Sequence, residues 1–116
     1  MTTGDLADAE SKWAKLDLDD RGYLLHRSQW QPWVAEQMAQ RDGLVLSEQH
    51  WEILDFLQDY YDSYQMAPPM RVLVKAIAIK LGEDKGESRY LYRLFPDGPA
   101  KQACRYAGLP KPVSCV

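Results

Sequence analysis

The chain has 116 residues, of which 46% are hydrophobic, so its length fits one domain and its composition can supply a real core. It has no run of about 18 apolar residues. Its acidic start lacks the basic and apolar parts of a secretion signal, so we expect a cytoplasmic protein without a membrane span. The net charge of −3 is uneven, because residues 1–70 carry 5 Lys and Arg against 13 Asp and Glu, whereas residues 71–116 carry 9 against 4. The basic half favours an anionic partner.

The cysteine and histidine content argues against a metal site. The chain has two cysteines, Cys104 and Cys115, and two histidines, His26 and His50, with none of the close pair spacings typical of zinc ligands. The sequence therefore predicts no metal and no other cofactor. Because the cytoplasm keeps thiols reduced, the cysteines are either ordinary packed residues or groups with redox or sulfur chemistry.

The N-terminal part of the chain gives weak signals. Residues 1–15 show no usable periodicity and are expected to be disordered or a short helix. Residues 16–27 alternate briefly around Asp20-Arg21-Gly22, which predicts a short β-hairpin or an isolated strand.

Helical patterns dominate after residue 28. Ser28 with Gln31 forms a potential capping box and Pro32 suits a first helical position, so either predicts a helix that ends at Asp42-Gly43. Ser47 is a good N-cap for the next helix, whose wide apolar stripe predicts the central and most buried helix.

Prolines and glycines delimit the remaining helices, which are predicted over 70–81, 87–94 and 100–107. The predicted fold is mainly α, a compact bundle of about five helices in a domain of residues 16–108, and a short N-terminal β-hairpin is allowed before it.

Residues 109–116 contain two prolines and no periodicity, which predicts a flexible, extended C-terminal arm. Cys104 lies in the last helix, and Cys115 is the second-last residue. From Gly108 to Cys115 the arm is roughly 20 Å long if extended at about 3.1 Å per residue. It can therefore reach into a partner, or fold back at a Gly108 hinge until the two sulfurs meet.

Basic residues lie close in sequence to both cysteines. Lys101 and Arg105 flank Cys104, and Lys111 precedes Cys115, so positive charge is expected to favour the thiolates. Packing alone is the alternative explanation for Cys104, which is an interior helix position. The candidates for docking an acidic partner surface are Arg93, Lys101, Arg105 and Lys111.

The C-terminal sequence resembles the DsrC/TusE sulfur-relay family. Its signature is Gly108-Leu-Pro-Lys-Pro followed by the penultimate Cys115, and Ser47-Glu-Gln-His-Trp51 and Arg71-Val-Leu-Val-Lys-Ala76 are similar as well. The match runs from about Gly22 to the last residue, whereas residues 1–16 are acidic and do not match.

The resemblance implies a small helical sulfur carrier with a flexible arm, and not an independent catalyst. Cys115 would accept and pass sulfur, as a persulfide or as a trisulfide with Cys104. The DsrC branch has a further cysteine eleven residues before the penultimate one, and Cys104 occupies that position. The implied role is that of a co-substrate of dissimilatory sulfite reductase, with a membrane thiol-reductase complex regenerating the dithiol. A monomer is expected.

Two alternatives stay open. A TusE-like relay would pass persulfide sulfur from a donor complex toward 2-thiouridine in tRNA, with Cys104 as a passenger. A nucleic-acid-binding regulator would use the helices 70–81 and 87–94 as a helix-turn-helix. The acidic N-terminal half argues against tight phosphate binding.

Overall fold

The computed structural model describes residues 10–112 of the chain. Over this range it contains a short helical segment at residues 10–14, a 3₁₀ turn at Arg27–Gln29 and five longer α-helices, which confirms the predicted mainly α bundle. The helices are α1 (Pro32–Arg41), α2 (Glu48–Tyr64), α3 (Met70–Leu81), α4 (Ser88–Leu94) and α5 (Pro99–Tyr106). None of the helices in this part of the chain is long and apolar enough to cross a bilayer.

The predicted hairpin is reduced to a tight turn closed by a single antiparallel bridge between Leu18 and Leu24. The Asp19 carboxylate accepts hydrogen bonds from the backbone N–H groups of Arg21 and Tyr23, both at 2.9 Å. Gly22 adopts a φ of +89°, which residues with a side chain rarely adopt. Because the Asp19 carboxylate accepts hydrogen bonds from the backbone of the turn, the turn is stable without a longer stretch of strand pairing.

The helix starts follow the capping chemistry of the sequence. Pro32 takes the first position of α1, so the alternative capping box of Ser28 and Gln31 is not used. At α2, Ser47 and His50 cap each other, and the other ring nitrogen of His50 lies 2.8 Å from the Leu94 carbonyl oxygen. His50 thereby ties the start of α2 to the end of α4.

The central helix is α5, and the expectation that α2 would be central is wrong. α5 packs against each of the other four helices. Six of its eight residues are buried, against four of the seventeen in α2. The physical reason is size, because the small residues Ala100 and Ala103 let neighbouring elements surround α5 closely, whereas α2 keeps an acidic, solvated outer face. The fold thus buries the helix that carries Cys104.

Candidate functional site

Cys104 lies in the core of the protein. Its side chain has no exposed surface, and it belongs to the main cluster of buried residues together with Ala103, Tyr106 and Leu109. Burial raises the pKa of the Cys104 thiol to about 12. The expectation that nearby Lys101 and Arg105 would favour its thiolate is therefore wrong for this conformation, because desolvation decides the protonation state.

Arg105 is engaged in a network that holds α5 to the end of α1. Its guanidinium forms an ion pair with Asp42. The Tyr106 hydroxyl donates to the same Asp42 carboxylate at 2.7 Å, and the Gln102 amide donates to the Tyr106 hydroxyl at 2.9 Å. Burial and the hydrogen bond to Asp42 raise the pKa of Tyr106. Arg105 is thus a structural ion-pair partner and only in part a surface cation.

The chain leaves α5 through a Schellman motif built on Cys104. The Leu109 N–H donates to the Cys104 carbonyl at 3.0 Å, and the Gly108 N–H donates to the Arg105 carbonyl at 3.2 Å. Gly108 has a φ of +76°, and a Cβ atom at this position would lie 2.6 Å from Trp30. Glycine is required here by both backbone conformation and space.

Two side chains complete the cap. The Trp30 indole N–H donates to the Tyr106 carbonyl at 2.7 Å, and the Gln58 amide donates to the Ala107 carbonyl at 2.9 Å. Together with the Schellman bonds, they satisfy the four backbone carbonyls from Cys104 to Ala107. The predicted hinge at Gly108 is therefore held in place by hydrogen bonds in this conformation.

The predicted arm begins with a packed segment. Leu109 is fully buried, Pro110 is exposed, Lys111 is half-buried and Pro112 is buried. Cys115 lies outside the described residues, so its role stays a prediction.

Tyr23 is buried against α5, near the end of the helix at which Lys101 lies. It is 6% exposed, and its hydroxyl donates to the Lys101 carbonyl at 3.2 Å. Burial raises the pKa of Tyr23. Lys101 lies three positions before Cys104, so Tyr23 contacts α5 one turn away from the residue that bears the thiol. Sequence reasoning missed Tyr23, because a single aromatic residue after a turn gives no sign of what it contacts 78 positions away.

A basic cleft of about 210 Å³ opens between the Tyr23 turn and α5. Three of the four predicted docking residues, Lys101, Arg105 and Lys111, line it. The other lining residues are Arg21, Tyr23, Asp97 and Gln102. The fourth candidate, Arg93, is exposed on α4 with its guanidinium 6.0 Å from the centre of the Tyr90 ring, and it does not line this cleft.

A second, larger groove of about 510 Å³ lies between α2 and α3. Aromatic and acidic side chains line it, among them Phe56, Tyr60, Asp55 and Asp59, and it contains neither Cys104 nor a predicted docking residue. Within residues 10–112, no three His, Cys, Asp or Glu side chains are grouped as a metal site requires.

Comparisons with known proteins agree on one family. The family model described as "DsrC like protein" matches residues 10–116. The sulfurtransferase TusE of Escherichia coli O6:H1 is 52% identical over 102 residues, which cover 88% of this chain and 94% of the relative.

Solved structures give the same answer. The solution structure of DsrC from Allochromatium vinosum matches with a TM-score of 0.80 and 57% identity, over 87% of this chain and 90% of that one. The crystal structure of the oxidized γ-subunit of dissimilatory sulfite reductase (DsrC) from Archaeoglobus fulgidus matches with a TM-score of 0.72 and 44% identity, over 87% and 92%. These relatives support a role as a sulfur carrier or relay protein, and on this evidence the chain belongs to the DsrC-like family.

Proposed function

We propose that the protein is a two-cysteine sulfur carrier of the DsrC type, in which Cys115 accepts sulfur and Cys104 acts second. The observation that carries the proposal is the hydrogen bond from the Leu109 N–H to the Cys104 carbonyl. It fixes the first residue of the arm to the backbone of the residue that bears the second thiol. The family match extends to residue 116 and so includes the whole arm.

The burial of Cys104 sets the order of the steps. A thiol with a pKa of about 12 is almost entirely protonated near neutral pH and is a poor nucleophile. Cys115 therefore loads first: its thiolate attacks the outer sulfur of a donor persulfide, the donor S–S bond breaks, and the donor leaves as a thiolate. The product is a persulfide on Cys115.

Cys104 reacts in a later step, once its side chain is uncovered. Its thiolate attacks the Cys115 sulfur of the persulfide, which forms a Cys104–Cys115 disulfide and releases the outer sulfur as hydrosulfide. Regeneration of the two thiols needs two electrons from a dithiol reductant, such as a membrane thiol-reductase complex. Holding the sulfur as a trisulfide instead requires a partner that accepts two electrons, and the proposed partner is dissimilatory sulfite reductase.

The proposal places the protein in the cytoplasm, where thiols are kept reduced. It assigns residues 16–108 to a domain and the residues from 109 onward to an arm that is partly packed at its base. Lys101, Arg105 and Lys111 are the proposed docking residues, since they share one cleft.

Intact-mass analysis tests the first step. After incubation with a persulfide donor, we expect the mass of one added sulfur atom on the wild-type protein and on Cys104→Ser. The Cys115→Ser variant should stay unloaded, and equal loading of that variant would overturn the assignment of Cys115.

A TusE-like relay is the second candidate, and the 52% identity to a sulfurtransferase TusE favours it. The two candidates differ at Cys104. In a simple relay, Cys104→Ser delivers sulfur to an acceptor as well as the wild type does, whereas in the two-cysteine carrier this variant loads but releases no hydrosulfide.

A further inference from the structure

Positive side chains from three separate segments converge on the basic cleft. Arg21 comes from the Asp19-capped turn, Lys101 from α5, and Lys111 from the segment that follows the Schellman cap. One carboxylate, that of Asp97, also lines the cleft.

Among the described residues, none of these three cations has a carboxylate within ion-pair distance. Arg105 is compensated by Asp42, but Arg21, Lys101 and Lys111 form no ion pair within residues 10–112. Like charges held together repel each other, and water and salt screen only part of that repulsion at a surface. A bound anion would remove it, so the cleft is electrostatically complementary to negative charge.

Gln102 and Tyr23 line the cleft and are hydrogen-bonded within the protein, so the cationic side chains are the main donors to a bound ligand. Gln102 is 3% exposed, and both the oxygen and the nitrogen of its amide are hydrogen-bonded within the protein. Its carbonyl oxygen accepts from the Asp97 N–H at 2.8 Å, and its NH₂ donates to Tyr106. Tyr23 is held by the Lys101 carbonyl.

The size of the cleft selects a small ligand. Its volume of about 210 Å³ corresponds to roughly seven water molecules at about 30 Å³ each. That space suits a tetrahedral ion with a few waters.

We propose that this cleft binds a small tetrahedral oxyanion such as sulfate, with Arg21, Lys101 and Lys111 as its ligands. The bound ion lies beside Tyr23, in a cleft that is also lined by Gln102 and Arg105 of the helix that carries Cys104. The inference goes beyond the proposed function, because oxyanion binding requires neither of the two cysteines and does not involve sulfur transfer.

The test is an NMR titration of the isotope-labelled full chain with sulfate, which is redox-inert, against sodium chloride at matched ionic strength. The amide signals of Arg21, Lys101 and Gln102 should shift together and saturate with sulfate, with the same dissociation constant in Cys115→Ser. A linear, unsaturated response, or the same shifts with chloride, would overturn the proposal.

Paired charge variants separate a site from general screening. The double variant Arg21→Gln/Lys101→Gln should bind sulfate at least about tenfold more weakly, since it removes two charged donors. The control Arg71→Gln/Lys75→Gln removes the same charge from exposed positions on α3 and should bind as the wild type does. Equal weakening in both double variants would show that sulfate acts only as a counter-ion.

Discussion

The N–H of Leu109 and the carbonyl of Cys104 are joined by a 3.0 Å hydrogen bond, so the residue that bears the buried thiol also anchors the first residue of the arm. Helix cap, thiol and arm are therefore one structural unit. Its stability and its accessibility can be measured separately.

Substitution of Gly108 tests the rigidity of this unit. Gly108→Ala adds a methyl group at a φ of +76° that meets Trp30 at 2.6 Å, so it combines backbone strain with a clash. We expect a loss of roughly 3 kcal/mol in the free energy of unfolding, measured with urea. Gly43→Ala is the matched control, because Gly43 has a φ of +81° and nothing within 4 Å; it should cost only about 1 kcal/mol. Equal losses would mean that Trp30 yields without cost.

The side-chain part of the cap has its own test. Gln58→Ala leaves the Ala107 carbonyl without its 2.9 Å partner. The expected destabilisation is about 1–3 kcal/mol, the usual cost of an unsatisfied buried group. Gln37→Ala removes an amide from an exposed pair with Gln40 and should change stability by less than about 0.5 kcal/mol. A neutral Gln58→Ala would show that water replaces the amide.

Exposure of Cys104 should depend on Tyr23. In a Cys115→Ser background, Cys104 is the sole thiol. Tyr23→Ala removes a buried side chain that contacts α5 one turn before Cys104, so it should speed alkylation by iodoacetamide at least about tenfold, the effect of lowering the opening free energy by about 1.4 kcal/mol. Tyr23→Phe should retain most of the protection, because the ring stays in place. Tyr92→Ala changes a half-exposed tyrosine on α4 and serves as the control. Rates that are unchanged in Tyr23→Ala would show that other residues protect Cys104.

The raised pKa of Cys104 predicts a loss of stability at alkaline pH. The thiol titrates near its ordinary value of 9.0 when unfolded and at about 12 when folded. The folded state therefore holds more protons between these values, and stability falls as pH rises through this window, by up to about 1.4 kcal/mol per pH unit. Urea unfolding at several pH values should show a shallower slope in Cys104→Ala. Tyr23 and Tyr106, whose pKa values are also raised, keep part of the slope in that variant.

The sequence predicted the helices well because their boundaries are chemically local. Pro32, Ser47, Gly82 and Pro99 begin or end helices through caps and fixed backbone angles, which need no knowledge of the tertiary fold. The hairpin that the sequence allowed forms as one antiparallel bridge between Leu18 and Leu24, and the Asp19 side chain closes its turn.

The site was only half accessible to sequence reasoning. Cys104 and the basic residues around it were found, but their environment depends on contacts between distant positions. Arg105 lies 63 residues from Asp42, and Trp30 lies 76 residues from Tyr106. Local charge suggested a reactive Cys104, and the packing of α5 overrides that suggestion by removing water.

The burial of Pro112 affects whether Cys115 reacts within its own chain or with another molecule. With Pro112 held against the domain, two residues separate it from Cys115, so the three Cα–Cα steps limit the excursion of the Cys115 Cα atom to roughly 10 Å. A tether this short raises the effective concentration of the thiol toward groups on its own domain and withholds it from distant ones. Release of residues 109–112 lengthens the tether and shifts the balance from intramolecular toward intermolecular exchange.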